Sequence, residues 1–204
     1  AGIRTSIITN LTWRNLKDVD VLIFNASMQL GDCEENAVEN VKQFVHNGGG
    51  VIFAHNAVGR YASAFKPTFF PSICKGFADR VVNRQKLNVV HDKIFEHFLK
   101  KGDTYIHRYN DHCQLTPGPK GKVVLTNYKR QPVMIIGKIG KGRCVYTGEI
   151  FGTKASLEAK PDEMSWKMLL NLIRWCGNEH PALSGGGSES QINDEILKSY
   201  GADR

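Results

Sequence analysis

The run Asn47-Gly48-Gly49-Gly50-Val51-Ile52-Phe53-Ala54-His55-Asn56 constrains this chain more than any other segment. Ahead of it, Ala37, Val38, Val41, Phe44 and Val45 recur at helical spacing, with Asp32 and Glu35 as a candidate amino-terminal cap. Glycine tolerates the left-handed conformation that closes a helix, so Gly48 to Gly50 predict a helix stop and an abrupt turn into a strand over Val51 to Ala54. A short apolar run of this kind suits a parallel strand covered on both faces. Strand, helix, glycine stop and strand make a βαβ unit with a right-handed crossover. His55 then stands at the carboxyl end of a strand, where ligands collect in open α/β sheets.

The flanking segments extend this pattern. Ile3 to Thr9 and Val19 to Asn25 are β-rich and read as neighbouring core strands. Beyond His55, Pro67, Pro71, Gly76 and several aromatic residues predict a surface loop, followed by β-prone pieces near Val81 to Val90 and a short helix over His91 to Lys100. Tyr105 to Tyr109, Lys122 to Thr126, Val133 to Lys138 and Arg143 to Thr147 read as strands, the last two joined in a hairpin by Ile139-Gly140-Lys141-Gly142. Met164, Met168, Leu169, Leu172, Ile173 and Cys176 keep helical spacing and predict a final packed helix. Gly185-Gly186-Gly187-Ser188 reads as a flexible linker, dividing the chain into a folded domain, 1–177, and a linker with an acidic tail, 178–204.

Charge and cysteine usage narrow the function classes. No apolar run approaches the ~18 residues that span a bilayer, and no signal-like segment precedes the first strand. The chain reads as soluble, with the cytoplasm favoured, although it opens at Ala1 and so reads as a processed product or an excised piece. Cys33, Cys74, Cys113, Cys144 and Cys176 show no Cys-x-x-Cys spacing, which fits buried thiols in a reducing compartment. Between Lys75 and Arg143 stand fifteen Lys or Arg against five Asp or Glu, a surplus that could attract phosphates but carries no nucleic-acid motif. Neither a nucleic acid nor a membrane is an expected partner, and a homo-oligomer is compatible with the sequence.

Four pieces, in order, resemble the trehalose-utilization (ThuA-like) family: Val19 to Asn25; Phe44 to His55; Gly140-Lys141-Gly142-Arg143-Cys144-Val145-Tyr146-Thr147; and Leu169-Leu170-Asn171-Leu172-Ile173-Arg174-Trp175. A fifth, Val90-His91-Asp92-Lys93-Ile94, is similar to the family's His-Pro-Ile turn with Asp92 in place of proline. The resemblance covers roughly Ile3 to Gly177. It implies the class I glutamine amidotransferase-like fold: α/β, a flavodoxin-like doubly wound and mostly parallel sheet with a C-terminal β-hairpin. It also implies that a first βα unit is absent here, and Gly148-Glu149 departs from the family's Gly-His after Thr147. The function implied is carbohydrate utilization, with a hydrolase- or lyase-like activity on a sugar derivative.

The site chemistry is read around His55. In amidotransferases the comparable turn holds a cysteine nucleophile. Here no cysteine occupies it, and Cys74, in Pro71-Ser72-Ile73-Cys74-Lys75-Gly76, is outside an elbow context, so thiol-based glutamine hydrolysis is not expected. His55, His107 and Glu149 are the candidate acid and base groups, and Asn56, His91, Asp111 and His112 the candidate ligand-binding groups, for a small carbohydrate-derived molecule. His55, His107 and His112 are also candidate ligands for a divalent metal, but no His-x-x-x-His spacing supports one. On one continuous strand His107 and His112 would face opposite ways, so they share a site only if a turn, for which Asn110-Asp111 is suited, intervenes. A catalytic His55 is expected to be partly accessible, with a second titratable group in hydrogen-bond reach. Gly137 to Arg143 lacks the final Lys-Ser/Thr of a phosphate loop and reads as a hairpin turn. Trp166 and Trp175 read as packing residues, whereas Trp13, Phe65, Phe69 and Phe70 lie in loops where they could stack on a ligand. The alternative function is a non-catalytic module of a larger protein that holds a carbohydrate, an anion or another protein.

Overall fold

Strand β2 (Gly50–Ala54) is buried at every residue, with strand β1 (Val21–Asn25) parallel on one side and strand β9 (Gly142–Thr147) parallel on the other. The computed structural model describes residues 3–25, 36–60, 69–95, 98–107, 109–151 and 163–177. The remaining strands are β3 (Cys74–Val82), β4 (Lys86–Val89), β5 (Thr104–Ile106), β6 (Asp111–Pro117), β7 (Lys122–Thr126) and β8 (Pro132–Ile139). Helices are α1 (Trp13–Leu16), α2 (Ala37–His46) and α3 (Glu163–Cys176). Seven strands form one sheet in the order β1-β2-β9-β8-β7-β4-β5, and β3 pairs with β6 in a separate antiparallel ribbon. From β9 onward each pairing in the large sheet is antiparallel, so β1, β2, β9, β7 and β5 run one way and β8 and β4 the other. This is a mixed α/β, flavodoxin-like architecture whose central strands β1, β2 and β9 are parallel, and β8–β9 is the expected hairpin.

The alternating side chains of β2 feed two cores, as the twofold period of a strand requires. Ile52 and Ala54 join Val145 and α3 residues Met168, Leu169 and Leu172 on one face. Val51 and Phe53 join Val41, Phe44 and Val45 of α2, together with Cys113 and Leu115 of β6, on the other. Phe53 stacks between Phe24 and Tyr146, with ring centroids at 5.2 and 4.8 Å.

The glycine triplet meets three separate demands. Gly48 adopts φ 124°, and its N–H bonds Val45 O while that of Gly49 bonds Phe44 O, closing α2. A Cβ on Gly49 would lie 2.3 Å from the Phe44 ring, and one on Gly50 would lie 2.6 Å from Cys176 at the end of α3. The second glycine cluster seals the same corner: Lys141 N–H in the β8–β9 turn donates to His46 O, the last residue of α2. That contact makes Gly137 to Arg143 a packed hairpin rather than a phosphate cradle.

Three expectations need correction. Ile3 to Thr9 is not a strand; Ile3 packs on the α3 face and Ile8 on the α2 face, so the segment crosses from one core to the other and leaves Ile7 exposed instead of joining a ladder. Val19 and Asp20 fall outside β1, which begins at Val21. Among the described residues, His91 to Lys100 forms turns rather than a helix: Asp92 O accepts from Phe95 N–H, and the Asp92 and Asp103 carboxylates accept from Lys101 and Lys100 N–H. Such side-chain bonds to the backbone compete with helix formation. The cap Asp32 and Glu35, Cys33, Phe65, and the linker and tail 178–204 lie outside the described residues.

Candidate functional site

At the carboxyl end of β2 the chain turns at once into a single 3-10 turn, His55–Val58, and His55 takes φ 53°. A residue with a Cβ rarely adopts this left-handed region, which costs about 1–2 kcal/mol and is held only where the surroundings enforce it. The conformation turns the imidazole away from the strand direction, toward β6. There His55 Nε2 lies 3.1 Å from Asp111 Oδ1.

The sheet switch between β5 and β6 brings the other groups in. β5 ends at Ile106 in the large sheet and β6 begins at Asp111 in the ribbon, so the chain breaks direction between His107 and His112. Tyr105 to Tyr109 is therefore a strand only as far as Ile106. The break satisfies the condition under which the two histidines share a site, and their ring centroids stand 6.4 Å apart. Asp111 joins the set twice: its carboxylate meets His55, and its carbonyl accepts from His107 Nε2 at 2.8 Å. On the far side His107 Nδ1 is 3.7 Å from Glu149 Oε1, both side chains being fully enclosed. Thr147 Oγ1 donates to Glu149 Oε2 and accepts from the Glu149 N–H. Gly148 permits this approach, since a Cβ there would fall 2.0 Å from Cys113 O.

Proton positions follow from the partners. A carbonyl only accepts, so His107 Nε2 carries hydrogen. Asn127 Oδ1 accepts from the backbone N–H groups of Lys129 and Gln131, which fixes its amide so that Nδ2 faces His112 Nε2 at 3.4 Å. His112 Nε2 is then an acceptor and its proton sits on the buried Nδ1. Burial, then the neighbouring His107, pushes the His112 pKa down to about 4, so the ring is neutral. Burial also lowers the pKa of His55, with Asp111 opposing the shift. Neutral His55 donates Nε2–H to the carboxylate and keeps a lone pair on Nδ1, which has no hydrogen-bond partner among the described residues.

His55, His107, Asp111, His112 and Glu149 thus form one cluster, and Asn56 adjoins it. His91 does not: β4 runs down from the site, leaving His91 beside Val124, where its Nδ1 accepts from Lys93 N–H. The expected accessibility of His55 is not met either, because the residue is only 4% exposed although its titratable partner is in place. Among the described residues no group of three or more His, Cys, Asp or Glu could hold a metal ion, and each of the three histidines already has one nitrogen engaged. Cys74 is fully buried in β3, and burial raises its thiol to about 12, so it is not a nucleophile at neutral pH. Phe69 and Phe70 cap the aromatic stack, with Phe70 N–H donating to the Tyr146 hydroxyl. Trp13 instead lines a groove of about 310 Å³ beside Gly48 and Gly49, at the opposite end of β2 from His55.

Three members were not foreseen. Arg80 Nη2 donates to Asn56 Oδ1. Tyr109 stands edge-on to His55 with centroids 6.0 Å apart, and Asn127 sets the His112 tautomer. No local pattern marks Arg80, whose place opposite Cys113 depends on a β3–β6 register broken by two irregularities. Asn127 carried a weak signal as the residue closing the β7–β8 turn.

The architecture defines a class of α/β domain in which a buried central parallel strand ends in a tight turn at the carboxyl edge of the sheet. More narrowly, the chain has a ThuA-like fold. It is similar to a Bacteroides uniformis protein described as thua-like, with TM-score 0.57 and 17% identity over 81% of this chain and 72% of that one. The cytoplasmic protein STM3548 from Salmonella typhimurium superposes with TM-score 0.58 and 17% identity over 83% and 76% of the two chains. The mmIFT52 N-terminal domain gives TM-score 0.63 at 13% identity over 87% and 85%. No protein-family model and no curated protein sequence matches the chain. No helix among the described residues is long and apolar enough to cross a membrane.

Proposed function

We propose that this ThuA-like domain acts on a small carbohydrate-derived molecule, with His55 as the proton-transferring group and Asp111 as the group that orients it. The observation that carries the reading is the left-handed His55 at the end of β2 with its Nε2 held 3.1 Å from Asp111 Oδ1. A neutral imidazole with one nitrogen fixed by a carboxylate has the other available as a base, the arrangement general acid–base chemistry needs. His107 and Glu149 form a second, deeper pair that shares Asp111 and supports its position. A hydrolase- or lyase-like step on a sugar derivative uses such a pair without a thiol. The test is turnover and binding across a panel of sugars and keto-sugars with His55→Gln and Asp111→Asn. The reading expects both variants to lose activity by about 10²-fold or more, and unchanged binding and turnover in both would refute it.

A non-catalytic module of a larger protein is the second reading, favoured by one observation: His55 is 4% exposed, so a ligand reaches it only if the surrounding chain opens. The likeness to a domain of mmIFT52 is compatible with it. The folded unit on either reading is 1–177, with 178–204 as linker and tail; a homo-oligomer is compatible with both, and neither involves a nucleic acid or a membrane.

A further inference from the structure

Among the described residues, five cations outside any ion pair line the edge beside the histidine cluster. Arg80 lies in β3 opposite Cys113, next to the pair Val81 and His112. Its guanidinium is exposed, gives one Nη2 to Asn56, and has further donors to spare from the five a guanidinium carries. Two residues past β3, Arg84 lies over the Tyr128 ring at 5.4 Å, and Lys129 lies over the same ring at 5.6 Å. Tyr128 directly follows Asn127, the residue that fixes His112, and Arg130 N–H donates to Asn127 O. Lys86 completes the rim, since the register Asn88 to Thr126 carries it up to the level of Tyr128. Arg80, Arg84, Lys86, Lys129 and Arg130 are all exposed, and none has a carboxylate within ion-pair distance among the described residues.

Asp111 is hydrogen-bonded to His55, Glu149 is enclosed against His107 and the exposed Asp79 accepts from Arg80 N–H, so the five cations outnumber these three carboxylates. A solvated face of unpaired lysines and arginines is common, but here the charges converge on one edge of the sheet and on the partners of two buried neutral histidines. Clefts lined by one sign of charge focus their field and concentrate the opposite ion. The Tyr128 ring, contacted by two cations, is a support for charge rather than a platform for bases, which argues against a nucleic acid.

We infer that the molecule taken up at the His55 cluster is anionic, bearing a carboxylate or phosphate that Arg80 binds while Arg84, Lys86, Lys129 and Arg130 draw it to the site. This rests on the reading of the cluster as a ligand site and names its substrate class. Arg80 serves as a specificity-determining group, and the rim acts on encounter.

The experiment follows the imidazole carbon–proton NMR signals of the 204-residue chain during titration with glucose, glucuronate and glucose 6-phosphate, at low and high salt. Glucuronate or glucose 6-phosphate is expected to shift the His55 and His112 signals with at least about tenfold higher affinity than glucose, the choice between them identifying the anionic group. Arg80→Gln should weaken that binding about tenfold or more, Arg80→Lys should recover part of it, and Arg84→Gln with Lys129→Gln should flatten its salt dependence. Thermal melts establish that each variant is folded. Equal affinity for glucose and the anions, unaffected by Arg80→Gln, overturns the inference and leaves the ligand-site reading standing. Anion binding that leaves the His55 and His112 signals in place, or no binding by any probe, overturns both.

Discussion

His55 Nε2 and Asp111 Oδ1 stand 3.1 Å apart although 56 residues separate them in sequence. One comes from the turn at the end of a central parallel strand and the other is the first residue of β6 in the ribbon packed over it, so the contact reports on both the sheet and its covering layer. Replacing Asp111 by Asn removes the influence that holds the His55 pKa up, while burial continues to lower it. NMR titration of Asp111→Asn should therefore place the His55 midpoint below that of the parent protein. The loss of the part-buried charge-assisted bond should cost about 1–3 kcal/mol in urea unfolding.

Stability should fall in mild acid. The buried His112 titrates near 4 in the folded protein against 6.5 when unfolded, so as pH drops below about 6.5 the unfolded chain takes up a proton that the folded one refuses. Its contribution is present in full above 6.5 and is lost progressively down to about 4. His55, shifted in the same direction, adds to the effect. Urea unfolding at pH 7 and pH 4.5 should differ by on the order of 2 kcal/mol from His112, and His112→Gln should shrink that difference.

Much of the architecture is legible in the residues because the decisive constraints are local. The helix stop, the strand and the position of His55 all follow from ten consecutive residues, and the β8–β9 hairpin from one glycine pair. The cluster was legible in its members but not in its geometry: His107 and His112 meet because the chain leaves one sheet for another between Ile106 and Asp111, a tertiary choice that alternation along a strand does not reveal. Arg80 was out of reach for the same reason, lying beyond two register irregularities. Ile3 to Thr9 misled because β-prone composition states an affinity for burial, and these side chains satisfy it by spanning the two cores without a ladder.

The glycine triplet yields an ordered set of stabilities. Gly50→Ala places a methyl group 2.6 Å from the backbone of Cys176, which can yield only by moving α3, and should cost about 3 kcal/mol or prevent folding. Gly48→Ala makes only an ordinary contact, 3.8 Å from Lys141 Cβ, but must hold φ 124°, and should cost about 1–2 kcal/mol. Thermal or urea melts should rank the two in that order, and a reversed rank would mean that the helix stop, not the α3 contact, sets the corner.

The thiols should be silent in the folded state. Cys74, Cys113, Cys144 and Cys176 are buried and in no disulfide, and burial raises Cys74, Cys113 and Cys144 each to about 12. Iodoacetamide at pH 7.5 should leave all four unmodified until urea is added, as read by peptide mass spectrometry. Selective native-state alkylation of Cys74 would restore a thiol nucleophile to consideration.

The central claim is that His55 is a neutral base held by Asp111. Long-range nitrogen–proton NMR of the imidazoles at pH 7 tests it most directly. The structure predicts a neutral His55 ring protonated on Nε2, with Nδ1 carrying the lone pair. An imidazolium ring at that pH, or a neutral ring protonated on Nδ1, would contradict it.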